Sequence, residues 1–389
     1  MNVSFPSPKK PTILMVCHLP PPVHGASMVG QSIVRSKALN AAFDLRVVAI
    51  SGADLEGLGR FTVRKLFKTV GLVLRAAGAL ARSRPAFIYL TPSIDGFGFL
   101  RDTAIAAAAR LFRVPRVLHI HMRGLNERYR QGGWRRALYR TMFEGATVIH
   151  LDPSLYDDVS ALVPHANFCT VSNGLADPRA GRDAGENAAR EAPPLILYLS
   201  NLQEEKGACD LLAASNLLRA RGVAHRLAFV GAPREPEVVA AIQAAEQETG
   251  GEVRFFGPVY GDGKLALFEA ADIFAFPSRY RYECQPLSLI EAMAHGLPIV
   301  STAAGASGQL VAGAGTADAA GLVVPQGDPA AFADALAMLI GEPDLRLAYA
   351  RQGRARFERD LSLARFETRL TDCFAAIVAA GRSRKGRAA

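Results

Sequence analysis

This chain has few cysteines and no pattern among them. Cys17, Cys169, Cys209, Cys284 and Cys373 are scattered over 389 residues, odd in number and without metal-ligand spacing. That excludes a disulfide framework and a thiolate metal site, and mostly apolar neighbours read as the reduced thiols of a cytoplasmic protein. No apolar run approaches the roughly 20 residues of a membrane span. The alanine-rich run from Ala104 is too short, and the one from Ala330 to Ala337 is broken by Asp334. Met1 to Pro11 is polar and proline-rich, so no signal peptide is expected there. An Asp-x-Asp metal signature and nucleic-acid-binding motifs are also missing. No metal and no cofactor are therefore expected, and nucleic acid is not an expected partner.

What is present fits two α/β domains. Half of the residues (50%) are hydrophobic, enough for two cores at this length. The net charge of +9 is uneven. Residues 1–178 hold 22 Lys and Arg against 11 Asp and Glu, whereas residues 179–389 hold 23 against 25. A basic first half points to an anionic acceptor or an anionic membrane surface.

The most informative stretch is Phe274 to Thr302, FAFPSRYRYECQPLSLIEAMAHGLPIVST. Two apolar runs, Ile273 to Phe276 and Pro298 to Thr302, flank a polar loop and one helix length. Pro286 suits the first helical position, Leu287, Leu289, Ile290, Met293 and Leu297 keep helical spacing, and Gly296 ends the helix. Glu283 lies in the loop and Glu291 in the second turn. The free N–H groups of Leu287 and Ser288 then form an anion site. A carboxylate beside bound phosphate is better used to hold a hydroxyl pair, so Glu291 is placed on a ribose and Glu283 on a second polyol. Hydroxyls on either side of a diphosphate describe a nucleotide sugar. From the residues alone, two solvated glutamates on an ordinary crossover are the commoner arrangement.

The run from Glu283 to Glu291, continued as Ala-Met-Ala-His-Gly-Leu-Pro, resembles the E-x7-E signature of the group 1 (family 4) retaining glycosyltransferases of GT-B fold. The resemblance implies two Rossmann-like domains with a central cleft and a C-terminal helix crossing back to the first domain. It implies that Glu283 contacts the donor sugar, Glu291 the ribose, and the amides of Leu287 and Ser288 the phosphate. Four residues separate Ser278 from Glu283, where many members have two.

The remaining elements follow in β/α alternation. Strands are expected at Thr12–Cys17, Leu45–Ile50, Phe87–Leu90, Arg116–Ile120, Thr147–Leu151 and Phe168–Val171, then Leu195–Leu199, Arg226–Val230 and Val253–Phe256. Helices are expected at Asp328 to Ile340 and Asp344 to Ala380. In the basic stretch Arg60 to Arg84, Val63, Leu66, Phe67, Val70, Val73 and Leu74 share one face, read as the core side. Arg60, Arg64, Lys65, Lys68 and Arg75 share the other, with Phe61 and Leu72 among them. Arginines alternate with Tyr129, Trp134 and Tyr139 between Arg123 and Arg140. Both segments fit a solvated helix or shallow contact with an anionic membrane, with Phe61, Leu72 and Trp134 inserting.

By resemblance, Gly25 lies between acceptor and donor phosphate, His121 sits beside the transferred sugar with His119 as the alternative, and Gly257 meets the base. Lys206 holds the leaving phosphates, and Asn201 stands where the family has an Arg. The expected organisation is residues 1–175 for the acceptor, a linker at 176–194, and 195–361 for the nucleotide sugar. A crossing helix at 362–381 and a basic, disordered tail at 382–389 follow. The expected activity is retaining transfer of a hexosyl group to a glycan, lipid-linked or envelope polysaccharide acceptor. The protein would be cytoplasmic and peripheral on the inner face of the membrane. Catalysis is placed on His121, Glu283 and Lys206. A nucleotide-sugar epimerase and a non-catalytic nucleotide-sugar-binding subunit are the alternatives.

Overall fold

The computed structural model describes residues 10–21, 25–50, 63–180, 192–313, 315 and 318–386. The chain forms two compact units, Met1–Ser172 with Phe366–Ala389, and Asn173–Arg365. Each is built on a six-stranded parallel sheet.

In the first unit the strands are β1 (Thr12–His18), β2 (Asp44–Ile50), β3 (Phe87–Leu90), β4 (Arg116–His119), β5 (Thr147–His150) and β6 (Phe168–Thr170), in the order β2-β1-β3-β4-β5-β6. In the second they are β7 (Leu195–Leu199), β8 (Arg226–Val230), β9 (Val253–Gly257), β10 (Ile273–Phe276), β11 (Ile299–Thr302) and β12 (Gly321–Val324). Their order is β12-β11-β10-β7-β8-β9. The chain direction of assembly reverses between β7 and β10, which are hydrogen-bonded neighbours. A parallel sheet of this order opens its ligand crevice at the carboxyl ends of those two strands, because their connecting loops turn to opposite faces. Strands such as Phe87–Leu90 and Ile273–Phe276 are buried along their whole length, as a sheet covered on both faces requires.

Five expectations change. β12 was not foreseen: its four residues end a long Ala/Gly-rich stretch, and Gly321 runs so close to β11 that a Cβ would lie 1.8 Å from the Ile299 carbonyl oxygen. The single helix expected from Asp344 to Ala380 is three segments, Pro343–Arg356, a π-turn Phe357–Leu361, and Leu363–Gly386. Ser362 is extended there, and Leu175 pairs across the break by accepting from Leu363 N (2.7 Å) and donating to Leu361 O (3.0 Å). The last helix continues to Gly386, so residues 382–386 of the expected tail are helical. Ala176–Ala180 of the expected linker is anchored in the second unit by Asp177, paired with Arg354 at 2.5 Å.

The fifth correction concerns the helix Val63–Ser83. Leu72, Ala76 and Leu80, one turn apart, are the buried strip, and the helix packs on β1, β2 and the helix Gly96–Leu111. Leu66, Phe67, Val70 and Leu74, read from sequence as the core face, are exposed. Periodicity identifies an apolar face but not which way it points. Arg60, Phe61, residues 181–191 and residues 387–389 lie outside the described residues, as do the side chains of Arg64 and Lys65.

The first unit is closed by the C-terminal helix. Phe374 is fully buried and meets Phe43, Phe87 and Tyr89 edge-on, with ring centroids 6.0, 5.1 and 5.5 Å away. Cys373 lies beside it with its sulfur 3.3 Å from that of Cys169 on β6. No helix among the described residues is long and apolar enough to cross a membrane.

Candidate functional site

The loops after β7 and β10 meet at the reversal point of the second sheet. After β7 a short turn, Glu204–Lys206, ends at Gly207, which has φ +77° and precedes the helix Ala208–Ala220. A Cβ at Gly207 would lie 2.2 Å from the Pro277 carbonyl oxygen, so glycine is what lets the two loops touch. Lys206 Nζ then reaches Glu283 Oε2 at 2.6 Å, with both side chains largely buried (12% and 11% exposed). Ser278 Oγ donates to the same oxygen at 3.1 Å. The Lys206 ammonium also lies 4.1 Å from the centre of the Tyr280 ring.

Arg279 and Tyr280 belong to the long spacing between Ser278 and Glu283, and they account for it. Arg279 joins Asp210 (3.1 Å) and Glu204 (3.0 Å), and its N–H donates to the Glu205 carbonyl (2.8 Å). The extra residues thus clamp one loop to the other. Behind Glu283, Gly305 (φ +62°) makes a second close approach, where a Cβ would stand 2.3 Å from the Glu283 carbonyl oxygen. Asn173 closes the other side through its N–H to Gln285 Oε1 at 2.8 Å.

The helix after this loop is Leu287–His295, with Pro286 at its N-cap, one residue before the expected position. Pro286 has no side-chain acceptor, so the amides of Leu287 and Ser288 open the helix without a side-chain cap. Free amides backed by the helix dipole are the kind of arrangement that attracts an anion. Glu291, one turn further in, is paired with Lys264 at 2.5 Å. Lys264 is not among the candidate site residues read from the sequence. Asn201 is exposed beyond β7, and its carbonyl accepts from Tyr198 Oη at 3.3 Å. Gly257 ends β9 with φ +66°. Asn201, Lys206, Gly257 and Glu283 thus all lie at the carboxyl ends of strands of one sheet, and Leu287, Ser288 and Glu291 on the helix that follows.

The first unit carries a separate cluster at the carboxyl ends of β4 and β5. His119 is fully buried and shares a 2.7 Å hydrogen bond between its Nδ1 and Tyr89 Oη. His121 lies just beyond the strand, its ring 4.3 Å from that of His119, as alternation required. Its Nε2 is buried and has no hydrogen-bond partner among the described residues. Burial pushes His121 down to about 4 and His150 down to about 3, and holds His119 well below the usual histidine range. All three are neutral at pH 7, so His121 offers hydrogen bonds rather than charge. Gly25 opens the helix Gly25–Arg35 and is exposed. The close backbone approach in that helix is at Gly30, where a Cβ would lie 2.2 Å from the His18 carbonyl oxygen. Among the described residues no group of three or more His, Cys, Asp or Glu could hold a metal ion.

Residues 193–342 match the family described as glycosyl transferases group 1. Glycogen synthase of Mycobacterium tuberculosis is 28% identical over 267 residues, covering 65% of this chain and 61% of that protein. The D-inositol 3-phosphate glycosyltransferase of Corynebacterium efficiens is 29% identical over 241 residues, covering 60% of this chain and 54% of that one. The chain thus spans less than two thirds of the length of these relatives. Among solved structures, Anabaena HepE in complex with UDP-glucose superposes with a TM-score of 0.69 at 18% identity, over 94% of this chain and 100% of that one. At that identity the likeness is one of fold, and the fold is GT-B. The matched residues contain both loops, the uncapped helix start and both glutamates, so the likeness to the group 1 glycosyltransferases falls on the candidate site.

Proposed function

We propose that the protein transfers a sugar from a nucleotide-sugar donor to a glycan or lipid-linked acceptor, with retention of configuration. The observation that carries this reading is the uncapped start of the helix Leu287–His295, set between two lysine-paired carboxylates, Glu283 and Glu291. The helix amides and Lys206 hold the diphosphate and stabilise it as it departs. Glu291 takes the ribose hydroxyls, and Glu283, whose contacts are both through Oε2, keeps Oε1 for a hydroxyl of the donor sugar. The acceptor attacks from the face that the diphosphate leaves, through an oxocarbenium-like state, and neutral His121 hydrogen-bonds the reacting sugar. The structure of HepE with UDP-glucose supports a nucleotide sugar as the donor class.

Glu291→Ala tests the reading. It should weaken binding of the free nucleoside diphosphate by roughly 1–3 kcal/mol, the range for losing a hydrogen bond to a charged group. Titration calorimetry with UDP and with GDP measures it, and unchanged affinity for both would remove the ribose assignment.

The acceptor side of the proposal is a lipid-linked or envelope glycan met at an anionic membrane surface. Phe67, Leu74 and Trp134 are 72%, 65% and 66% exposed, on a unit rich in arginine. Such residues enter the interface while basic neighbours contribute about 1 kcal/mol each at an anionic surface. The inserting residues are Phe67, Leu74 and Trp134, since Leu72 is buried. Co-sedimentation should show binding to anionic vesicles, little to neutral ones, and loss of binding at high salt. Equal binding to both vesicle types would remove the membrane from the proposal.

A further inference from the structure

The site as described leaves Lys264 without a task. It projects from the helix Gly261–Ala270, and its Nζ meets Glu291 Oε1 at 2.5 Å. Four residues along each helix, Phe268 stacks on His295 with ring centroids 4.7 Å apart and planes at 6°. The two helices are thus laced at two points one turn apart, and the pair at the site end is the ionic one. The Phe268 ring is buried and fixes the register, so Lys264 cannot drift from Glu291 without unstacking the pair behind it.

Two physical consequences follow for Glu291. Its side chain has several rotatable bonds, and fixing such a chain costs rotamer freedom. An ion pair already present in the free protein meets that cost before ligand arrives. Only Oε1 is engaged, so Oε2 remains available to hydroxyls. Glu291 also stands one turn from a helix start that attracts anions, where its own charge would repel a diphosphate. An ammonium on Oε1 offsets that repulsion.

We infer that Lys264 is a positioning residue that sets the preference for a ribonucleotide over a 2′-deoxyribonucleotide, by holding Glu291 ready for the ribose hydroxyls. This rests on the nucleotide-sugar reading above and adds a residue to it. A lysine that merely supported the fold, or that itself touched phosphate, would affect both sugars alike.

The experiment is calorimetric titration of the full chain with UDP, GDP and their 2′-deoxy counterparts. The proteins compared are the wild type, Lys264→Met, Lys264→Gln, Lys264→Arg, Glu291→Ala and the Lys264→Met/Glu291→Ala double variant. Thermal unfolding confirms that each is folded, and two neutral variants guard against failure of either. The wild type should prefer the ribonucleotide roughly tenfold or more, the scale of one hydrogen bond to a charged group. Lys264→Met and Lys264→Gln should reduce that ratio severalfold, and Lys264→Arg should retain it. In the Glu291→Ala background, Lys264→Met should leave the ratio where Glu291→Ala alone puts it. Equal weakening toward ribo- and deoxyribonucleotides, or an unchanged ratio, overturns the inference and leaves the nucleotide reading standing. If the wild type binds neither UDP nor GDP, both fall.

Discussion

Lys206→Ala should slow sugar transfer by roughly 10²–10³-fold, the loss seen when one preorganised donor to a developing anion is removed. The effect should fall on kcat more than on donor affinity, because the negative charge on the leaving diphosphate grows only as the bond breaks. Asn201 stands where the family supplies a second cation, which concentrates the demand on Lys206. A second consequence follows from the pairing of Lys206 with Glu283 at 2.6 Å. Removing the ammonium leaves a largely buried carboxylate with, among the described residues, only Ser278 as partner, which costs about 3 kcal/mol of stability. Lys206→Met with Glu283→Gln should recover most of that stability and none of the activity. Steady-state rates with urea unfolding on the same proteins separate the two effects. If the single variant keeps its rate, Lys206 is a structural partner of Glu283 and no more.

Acidification should destabilise the first unit progressively as the pH falls below about 6.5. Its His119, His121 and His150 are kept neutral mainly by burial, with His121 down at about 4 and His150 at about 3. In the unfolded chain each takes a proton near pH 6.5. Between those values the unfolded state binds more protons than the folded one, so stability falls as pH falls and is fully present above the unfolded value. Each histidine contributes roughly 1.4 kcal/mol per pH unit within that window. Three together remove roughly 6 kcal/mol by pH 5, near the lower end of the roughly 5–15 kcal/mol of an ordinary domain. Tyr89 and Arg123 face the same cluster and carry no compensating negative charge. Urea midpoints measured from pH 7.5 to 4.5 should be flat at the upper end and then drop steeply. His150→Phe should make the drop shallower. A midpoint independent of pH would mean that the cluster accepts protons while folded.

The Phe274–Thr302 stretch was legible because everything that shapes it is local. Strand, breaker, proline and helical spacing all lie within one run of residues, and the glycine that ends the helix is adjacent to it. Lys206 falls in the turn between strand and helix, where the Lys-Gly pair after an apolar run points. What local pattern does not carry is which distant side chain completes a contact. Lys264 lies 27 residues before Glu291, and nothing in the spacing of either marks the other. The helix Val63–Ser83 shows a different failure: its larger apolar face is real but looks outward, with the narrower Leu72–Ala76–Leu80 strip on the sheet. The break at Ser362 was hidden because residues on both sides are good helix formers. It is set by Leu175, whose backbone pairs across the gap.

The first unit begins the chain but is finished by Phe366–Ala389, and that arrangement orders events during synthesis. As the polypeptide leaves the ribosome, β1 to β6 emerge before the residue that covers them. Phe43, Phe87 and Tyr89 must wait for Phe374, and every residue of the second unit is made in between. The second unit is contiguous and can mature while its neighbour still shows an unfilled aromatic surface to the surrounding chaperones. The part that starts first is therefore sealed last, and a translation product halted within the helix Leu363–Gly386 would be competent in one half and open in the other.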